Sequence, residues 1–353
     1  MAQQIDCKIA LLTIPEPIRK EEFHLGKILR EKYGQDRIVH EIWPENFVSE
    51  KHWVSDTLTK LAANPEIKIL IFPQALPGTN KAIDMFKEIR DDAFIIISLP
   101  QESATESIQR ANLIIKSDDE GIGYEIVKQA KKQGAKTFVH YSFPRHTSIP
   151  RVSNRLDIIC KNCIDEEIKF IDVDSLDPLE AGLEKAQQFI LENVPKMVKK
   201  YGKDTAFFSS NCHVQATLIK AVIETRAIFP QPCCPSPFHG FPEALGIDNN
   251  FDLHYVIEEA SRKAEEKKMN DRLSTWPVSA TYMSAIAGAE YAIKWLNGEV
   301  SRTSIDNHAL LECMYSYMEE VIGEDGFVLM SPYTENGKTY NNYKRILMSY
   351  IDL

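Results

Sequence analysis

The sequence lacks the features by which several large classes of protein are recognised. No apolar run approaches the length of a membrane span, and no charged, apolar leader precedes the first strand-like run, Lys8 to Thr13. It has no Gly-x-Gly-x-x-Gly turn, phosphate-binding loop, Gly-x-Ser-x-Gly elbow or His-Glu-x-x-His motif. These absences argue against a membrane protein and a dinucleotide enzyme. They predict a cytoplasmic protein, or an extracytoplasmic one if a signal peptide has been removed.

Positive charge is also scarce. The chain has 41 Lys and Arg against 51 Asp and Glu, which gives a net charge of −10. Its basic residues come in short pairs such as Lys131-Lys132, rather than in the basic stripe that neutralises phosphates. Direct binding to nucleic acid is therefore disfavoured. The seven cysteines are an odd number without a dense framework, which indicates reduced thiols, and no cofactor is predicted.

What the sequence does have is a regular alternation of short apolar runs and amphipathic segments. Ile67 to Phe72 and Phe94 to Leu99 are almost entirely apolar, as strands buried on both faces are. The pattern predicts an α/β protein with two Rossmann-like lobes, each a parallel sheet flanked by helices, and a cleft between the lobes. The pattern predicts that residues 1–143 belong to lobe one and that lobe two begins at residue 144, and it does not place a tail of residues 331–353.

Ligands of open parallel sheets bind beyond the carboxyl ends of the strands, and this rule selects the candidate ligand-binding residues. They are polar residues that follow a predicted strand or open the first helix of lobe two: Glu16, Gln74, Gln101, Ser142, Arg145, His146, Arg151, Arg155, Asn211 and Cys212. The planar guanidinium fork of arginine suits carboxylate or phosphate recognition. A small polar ligand with an anionic group therefore fits this set better than a neutral sugar does.

Each candidate also has a structural interpretation. The two glutamines could hydrogen-bond to loop backbone, the arginines could pair with acidic side chains, and Asn211 could serve as a helix N-cap. Cys160 and Cys163 have metal-ligand spacing, but no second pair follows them, and Cys233-Cys234 has no clear role. The side chains of the adjacent residues Cys212 and His213 point in different directions on a helix, so that they predict no catalytic dyad. No metal ligand is assigned.

The segment from Asn112 to Tyr141 resembles the middle of a type 1 periplasmic-binding-protein domain: a short strand, an acidic turn that opens a helix, a glycine, and a strand leading into the second lobe. The segment from Ser148 to Leu156 is similar to the Arg-bearing helix start that enters the second lobe of the sugar repressors. This resemblance ranks Arg151 first among the arginines. Ser279 to Gly298 resembles the late helix that returns to lobe one, so that the resemblance implies a lobe one of residues 1–143 and about 279–330 and a lobe two of residues 144–278. There are two departures: Cys212 stands where the family often has Asp, and no helix-turn-helix fits before Lys8.

The resemblance implies a small-molecule-binding protein, a sensor or receptor that closes its two lobes around a polar metabolite, with an anionic one favoured. Two alternatives stay open. One is an enzyme of unknown reaction in the same cleft, and the other is a regulator that acts through a partner protein. The sequence also leaves a homodimer open.

Overall fold

The computed structural model describes residues 3, 5–47, 49–50, 52–323 and 326–353. Its strands are β1 (Lys8–Thr13), β2 (Ile38–Ile42), β3 (Ile67–Ala75), β4 (Phe94–Pro100), β5 (Leu113–Ser117), β6 (Thr137–Ser142), β7 (Lys169–Asp174), β8 (Thr205–Ser209), β9 (Ser274–Thr275), β10 (Val328–Glu335), β11 (Lys338–Met348) and β12 (Ile351–Asp352). Its helices are α1 (Lys20–Tyr33), α2 (Trp53–Ala62), α3 (Thr79–Ile89), α4 (Ala104–Arg110), α5 (Asp119–Lys132), α6 (Pro144–Thr147), α7 (Pro150–Asp165), α8 (Pro178–Ala181), α9 (Leu183–Tyr201), α10 (Gln215–Thr225), α11 (Phe241–Leu245), α12 (Leu253–Glu266), α13 (Ala280–Leu296) and α14 (Asn307–Ile322). Short 3₁₀ turns cover Gln35–Arg37 and Cys212–Val214.

The chain divides into two compact units. Unit 1 comprises Met1–Ser117, Ala280–Glu320 and Val328–Ile346, and unit 2 comprises Asp118–Ser279, Val321–Phe327 and Leu347–Leu353. Within the described ranges, no helix has both the length and the apolar character that crossing a membrane requires.

The sheet of unit 1 has seven strands in the order β10-β11-β5-β4-β3-β1-β2. The pairs from β11 to β2 are parallel, and the helices that follow β1 to β4 supply the crossovers that parallel neighbours need. The residues from Ile69 to Phe72 in β3 are fully buried, as are those from Phe94 to Ile97 in β4. Burial on both faces explains why these strands are continuous apolar runs in the sequence.

β10 and β11 form a hairpin through the two-residue turn Asn336-Gly337. Both turn residues have positive φ, 51° and 76°, the left-handed backbone that a type I′ turn needs and that Asn and Gly tolerate. β11 is parallel to β5, with Tyr343 opposite Ile114. The residues predicted as an unplaced tail, 331–353, therefore supply most of β10 and all of β11.

Unit 2 is built on the parallel strands β7-β6-β8. Isolated parallel bridges extend this order beyond β8, first to Ile228 and then from Phe229 to Leu273. Side chains of β6 alternate between two hydrophobic cores. Val139 packs in the core that contains residues of α9 and α10, and Phe138 packs in the core that contains residues of α5 and α7. Chain segments after β8, residues 228–231 and 273–276, thereby reach the same carboxyl edge as β6 and β8.

The predicted α/β class, with parallel sheets flanked by helices, is confirmed, but the division of the chain differs from the prediction. The first segment of unit 1 ends at Ser117 rather than at residue 143, and α5 and β6 belong to unit 2. The reason is strand pairing, because β6 hydrogen-bonds to β7 and β8, which follow it, whereas β5 pairs with β4 and β11. The return to unit 1 at Ala280 lies beside the predicted residue 279.

Candidate functional site

Three polar side chains form one hydrogen-bonded chain at the carboxyl edge of the unit 1 sheet. Gln101 Nε2 donates to Gln74 Oε1 at 2.6 Å, and Gln74 Nε2 donates to Glu22 Oε2 at 2.7 Å. The other carboxylate oxygen of Glu22 accepts the backbone N–H of Ile14 at 2.8 Å. The two predicted glutamines meet because β3 and β4 are neighbouring parallel strands.

The acidic group among these three hydrogen-bonded side chains is Glu22, which was not predicted from the sequence. Its side chain is buried in the first turn of α1, and burial raises its pKa to about 7 in spite of the two hydrogen bonds that it accepts. The predicted acid, Glu16, is exposed in the turn after β1. The two acids stand six positions apart, and residue type alone did not distinguish them.

At the carboxyl edge of the unit 2 sheet lie two predicted residues, Ser142, which ends β6, and His146, which follows it. Ser142 is buried, and its carbonyl accepts the N–H and the hydroxyl of Ser175 at 2.7 and 2.9 Å. The imidazole of His146 stacks on Phe143, with ring centroids 4.4 Å apart, and its Nδ1 lies 3.0 Å from Ser210 Oγ. Burial and a nearby arginine lower the pKa of His146, so that the ring favours its neutral form. The structure therefore brings the ends of β6 and β8 together through this contact.

Asn211 follows β8 and is an N-cap, as its structural interpretation predicts. Its side-chain oxygen accepts the backbone N–H of His213 at 3.0 Å, and Nδ1 of His213 lies 3.3 Å from the same oxygen. In the described part of the chain, neither His213 nor His146 makes a hydrogen bond to the thiol of Cys212. The geometry gives no support to a catalytic pair between Cys212 and either of these two histidines.

Arg145 is paired with an acidic side chain. Its Nε and Nη2 donate to the two carboxylate oxygens of Asp177 at 2.6 and 2.8 Å, and its guanidinium carbon lies 5.2 Å from the centre of the Phe143 ring. Hydrogen bonds from Arg145 hold the pKa of Asp177 at about 2. Asp177 also caps α8 by accepting the N–H of Leu179. This bidentate pair fixes the loops after β6 and β7.

The two arginines of α7 differ in their surroundings. Arg151, which the resemblance ranked first, keeps 59% of its side chain exposed and lies 4.0 Å from Asp119. Arg155 is buried at 7% exposure, with its guanidinium carbon 5.3 Å from the centre of the Phe208 ring. Among the described residues, the guanidinium of Arg155 has neither an ion-pair nor a hydrogen-bond partner. The exposure of Arg151 does not support its place as the first-ranked ligand-binding arginine.

Five further residues of unit 2 carry buried polar atoms that lack a hydrogen-bond partner within the described ranges. One atom is Oε1 of Gln133, whose Nε2 donates to Ser274 Oγ at 3.1 Å. The others are both amide atoms of Gln231, Oγ1 of Thr275, Nε1 of Trp276 and the hydroxyl of Tyr350. The rings of Trp276 and Tyr350 lie 4.8 Å apart, and the charge of Arg155 is close enough to Tyr350 to affect its pKa. Buried polar groups in folded proteins are nearly always paired. Gln231 was not predicted from the sequence, although it follows the apolar run Ala227 to Phe229 in the way that Gln74 follows the apolar run Ile67 to Phe72.

Three thiols and one imidazole also converge at this edge. We refer to Cys212, Cys233, Cys234 and His239 as the thiol cluster, because one ligand atom of each lies within 4.8 Å of those of the others. Cys212 Sγ lies 3.5 Å from Cys233 Sγ and 3.3 Å from Cys234 Sγ, and Cys233 Sγ lies 3.3 Å from His239 Nε2. Of the four, only Cys212 was selected from the sequence.

Comparisons with known proteins agree with this fold. The family described as "Protein of unknown function (DUF3798)" matches residues 7–274. An uncharacterized protein of Treponema pallidum (strain Nichols) is 29% identical over 208 residues, which are 59% of this chain and 92% of that protein.

Two solved structures have the same fold at lower identity. A protein of Clostridium difficile 630, provisionally described as a transcriptional regulator, is 22% identical with a TM-score of 0.86, and 99% of each chain is covered. A periplasmic solute-binding protein of an ABC transporter from Actinobacillus succinogenes 130z, with bound D-allose, is 12% identical with a TM-score of 0.51, and 84% of this chain and 94% of that one are covered. The predicted resemblance to the periplasmic-binding-protein fold is confirmed.

Proposed function

This chain belongs to the DUF3798 family and has the fold of periplasmic solute-binding proteins, and we propose that it binds a small polar molecule at the carboxyl edge of the unit 2 sheet. The observation that carries the proposal is the set of unpartnered polar atoms on Gln231, Thr275, Trp276 and Tyr350. A buried amide or hydroxyl that makes no hydrogen bond costs about 1–3 kcal/mol, and a bound polar molecule removes this cost by supplying the missing partners.

Arg155 determines the class of ligand in this proposal. The Arg155 side chain is buried at 7% exposure and its guanidinium has no carboxylate partner among the described residues, so that an anionic group on the ligand would form charge-assisted, bidentate hydrogen bonds with it. Arg145 is less suitable as a ligand-binding residue because its guanidinium already donates two hydrogen bonds to the carboxylate of Asp177. We therefore infer that the ligand is a small hydroxylated or amide-bearing molecule with one carboxylate or phosphate group.

Unit 1 has a polar surface of its own at the carboxyl edge of its sheet. Gln101, at the free end of the hydrogen-bonded side chains, is exposed, so that its amide is available to a ligand there. Gln74 is less available, since both ends of its amide are already paired. Closure of two lobes around the ligand, and regulation through a partner protein, stay predictions of the resemblance.

The test begins with native mass spectrometry of protein purified without dialysis, which reports any molecule that is retained. Thermal-shift assays then compare D-allose as a neutral probe with citrate, lactate and glucose 6-phosphate as anionic probes. We expect an anionic probe to raise the melting temperature of unit 2, since a ligand that binds the folded state stabilises that state by mass action.

Two variants on the same helix give a matched comparison. Arg155→Ala is expected to weaken binding of the responsive anionic probe by about tenfold to a thousandfold, because it removes a charge-assisted pair. Arg151→Ala, which removes an exposed arginine, is expected to leave the affinity unchanged. Equal affinities for the Arg155→Ala and wild-type proteins would refute the role of Arg155. A response to D-allose alone would refute the anionic class of ligand.

A further inference from the structure

We propose that the thiol cluster binds one Zn²⁺ ion through four protein ligands, the three cysteine sulfurs and Nε2 of His239. The cluster is not part of the ligand-binding proposal, and its occupancy can be measured without knowledge of the small molecule. All four residues belong to unit 2, and they come from the turn after β8 and from the loop that follows residue 229.

The distances fit a single tetrahedral ion. Zinc–sulfur bonds of about 2.3 Å at tetrahedral angles place two sulfurs roughly 3.8 Å apart, and a sulfur and a nitrogen roughly 3.6 Å apart. The three S···S distances in the cluster are 3.3, 3.5 and 3.8 Å, and the S···N distance from Cys233 to His239 is 3.3 Å. The ligand atoms therefore surround a space of the size that Zn²⁺ occupies.

The chain holds these ligands in place with a stiff loop and a buried amide. Prolines at 230, 232, 235 and 237 restrict φ on both sides of the cysteine pair. Gln215 is fully buried: its Oε1 accepts the N–H of Cys233, and its Nε2 donates to the carbonyls of Ser209 and Asn211. This one amide joins the end of β8 to the loop that carries Cys233 and Cys234, which we call the cysteine loop. Cys212, after β8, and the thiols of the cysteine loop are thus held near each other before any ion binds.

The position of His239 depends on close packing of the cysteine loop against α10. The N–H of His239 donates to the carbonyl of Ser236, and Gly240 follows with a φ of 86°. A Cβ on Gly240 would lie 3.0 Å from side-chain carbons of Gln215 and Ile219. Glycine at 240 lets the loop pack directly on α10 and brings the imidazole to the thiols.

Other uses of clustered cysteines fit the geometry less well. A disulfide requires about 2.05 Å between sulfurs, and all seven cysteines of the chain are free. In an iron–sulfur cubane each thiolate binds a different iron, so that the sulfurs stand farther apart than they do here. Three thiolates and one imidazole form a set that zinc favours, and four protein ligands make a closed, structural site. Its effect would be to lock the cysteine loop onto the end of β8.

The proposal is tested on the full chain by elemental analysis and by cobalt substitution. Protein purified under reducing conditions is expected to contain one zinc per chain. After removal of zinc with a chelator and a thiol reductant, titration with Co²⁺ is expected to give thiolate-to-cobalt absorption and the intense visible bands of a tetrahedral site, with saturation at one equivalent. Bound iron in place of zinc would overturn the assignment of the metal.

Substitutions connect the metal to these four residues. Cys234→Ser is expected to abolish stoichiometric zinc, whereas Cys160→Ser, at a half-buried cysteine outside the cluster, is expected to retain it. His239→Cys keeps four ligands and is expected to bind Co²⁺ with stronger thiolate absorption, which separates loss of a ligand from loss of folding. Retention of one zinc by Cys234→Ser would overturn the proposal. So would a Cys212–Cys234 disulfide in isolated protein that takes up no metal after reduction.

Discussion

The buried carboxylate of Glu22 predicts that unit 1 loses stability as the pH rises through neutrality. Its pKa is raised to about 7 in the folded protein, against an ordinary value of 4.5. The folded state therefore binds this proton more tightly than the unfolded chain does. The resulting stabilisation is fully present below about pH 4.5 and is lost as the pH rises through about 7. At 1.36 kcal/mol per pKa unit, the difference amounts to about 3 kcal/mol.

Glu22→Gln removes the titration and keeps the shape of the side chain. Its amide oxygen can accept the N–H of Ile14, and rotation of the Gln74 and Gln101 amides restores the remaining hydrogen bonds. The variant is expected to match the wild type near pH 5 and to exceed its stability near pH 8 by up to about 3 kcal/mol. Glu16→Gln, at an exposed acid of the preceding turn, is expected to change neither value.

The assay must report on unit 1 alone, because a chain of two units need not unfold in one step. Three of the four tryptophans, Trp43, Trp53 and Trp295, belong to unit 1, and Trp276 belongs to unit 2. In a Trp276→Phe background, tryptophan fluorescence during urea unfolding follows unit 1. If the stabilities of wild type and Glu22→Gln run parallel from pH 5 to pH 8, Glu22 does not titrate in this window and the reasoning fails.

Three further changes have defined outcomes. Gly26→Ala is expected to destabilise unit 1 by roughly 1–3 kcal/mol in urea unfolding, since its Cβ would lie 2.3 Å from the His40 ring, and His40→Ala in the same chain is expected to recover most of the loss. Arg145→Ala is expected to raise the pKa of Asp177 from about 2 toward its ordinary value, as measured by carboxyl ¹³C NMR, and an unchanged pKa would contradict the role of the ion pair. Gly240→Ala is expected to lower the stability of unit 2 by about 1–3 kcal/mol, because alanine is strained at a φ of 86°, and a midpoint equal to that of wild type would exclude this strain.

The order of elements could be predicted from the sequence because strands of a parallel sheet are short, apolar and separated by helices. The boundary between the units could not, since β5 and β6 are both buried apolar runs and their partners lie elsewhere in the chain. The hairpin after β10 had a local signal, Asn336-Gly337, that the sequence analysis did not use. Local composition predicts elements, whereas pairing depends on contacts between distant segments.

The same difference between local patterns and contacts of distant segments explains which residues of the candidate site could be predicted. Gln74 and Gln101 could be predicted together because each follows an apolar run of the sequence and the two runs form neighbouring strands. Cys212 and Cys233 are 21 positions apart and meet only because the bridged segment at Ile228 lies beside β8. The nearest available signal was Cys233-Cys234 followed five positions later by His239, a spacing outside the common zinc motifs.

The place of β11 beside β5 has a consequence for the synthesis of this protein. β5 leaves the ribosome as part of the first 117 residues, but the strand that covers its free side begins at Lys338. During most of translation, β5 is thus the bare edge of an incomplete sheet, with backbone groups able to pair with another nascent chain. We expect slow completion of this sheet, and chaperone dependence that decreases when the β10–β11 hairpin is moved, by circular permutation, ahead of β1.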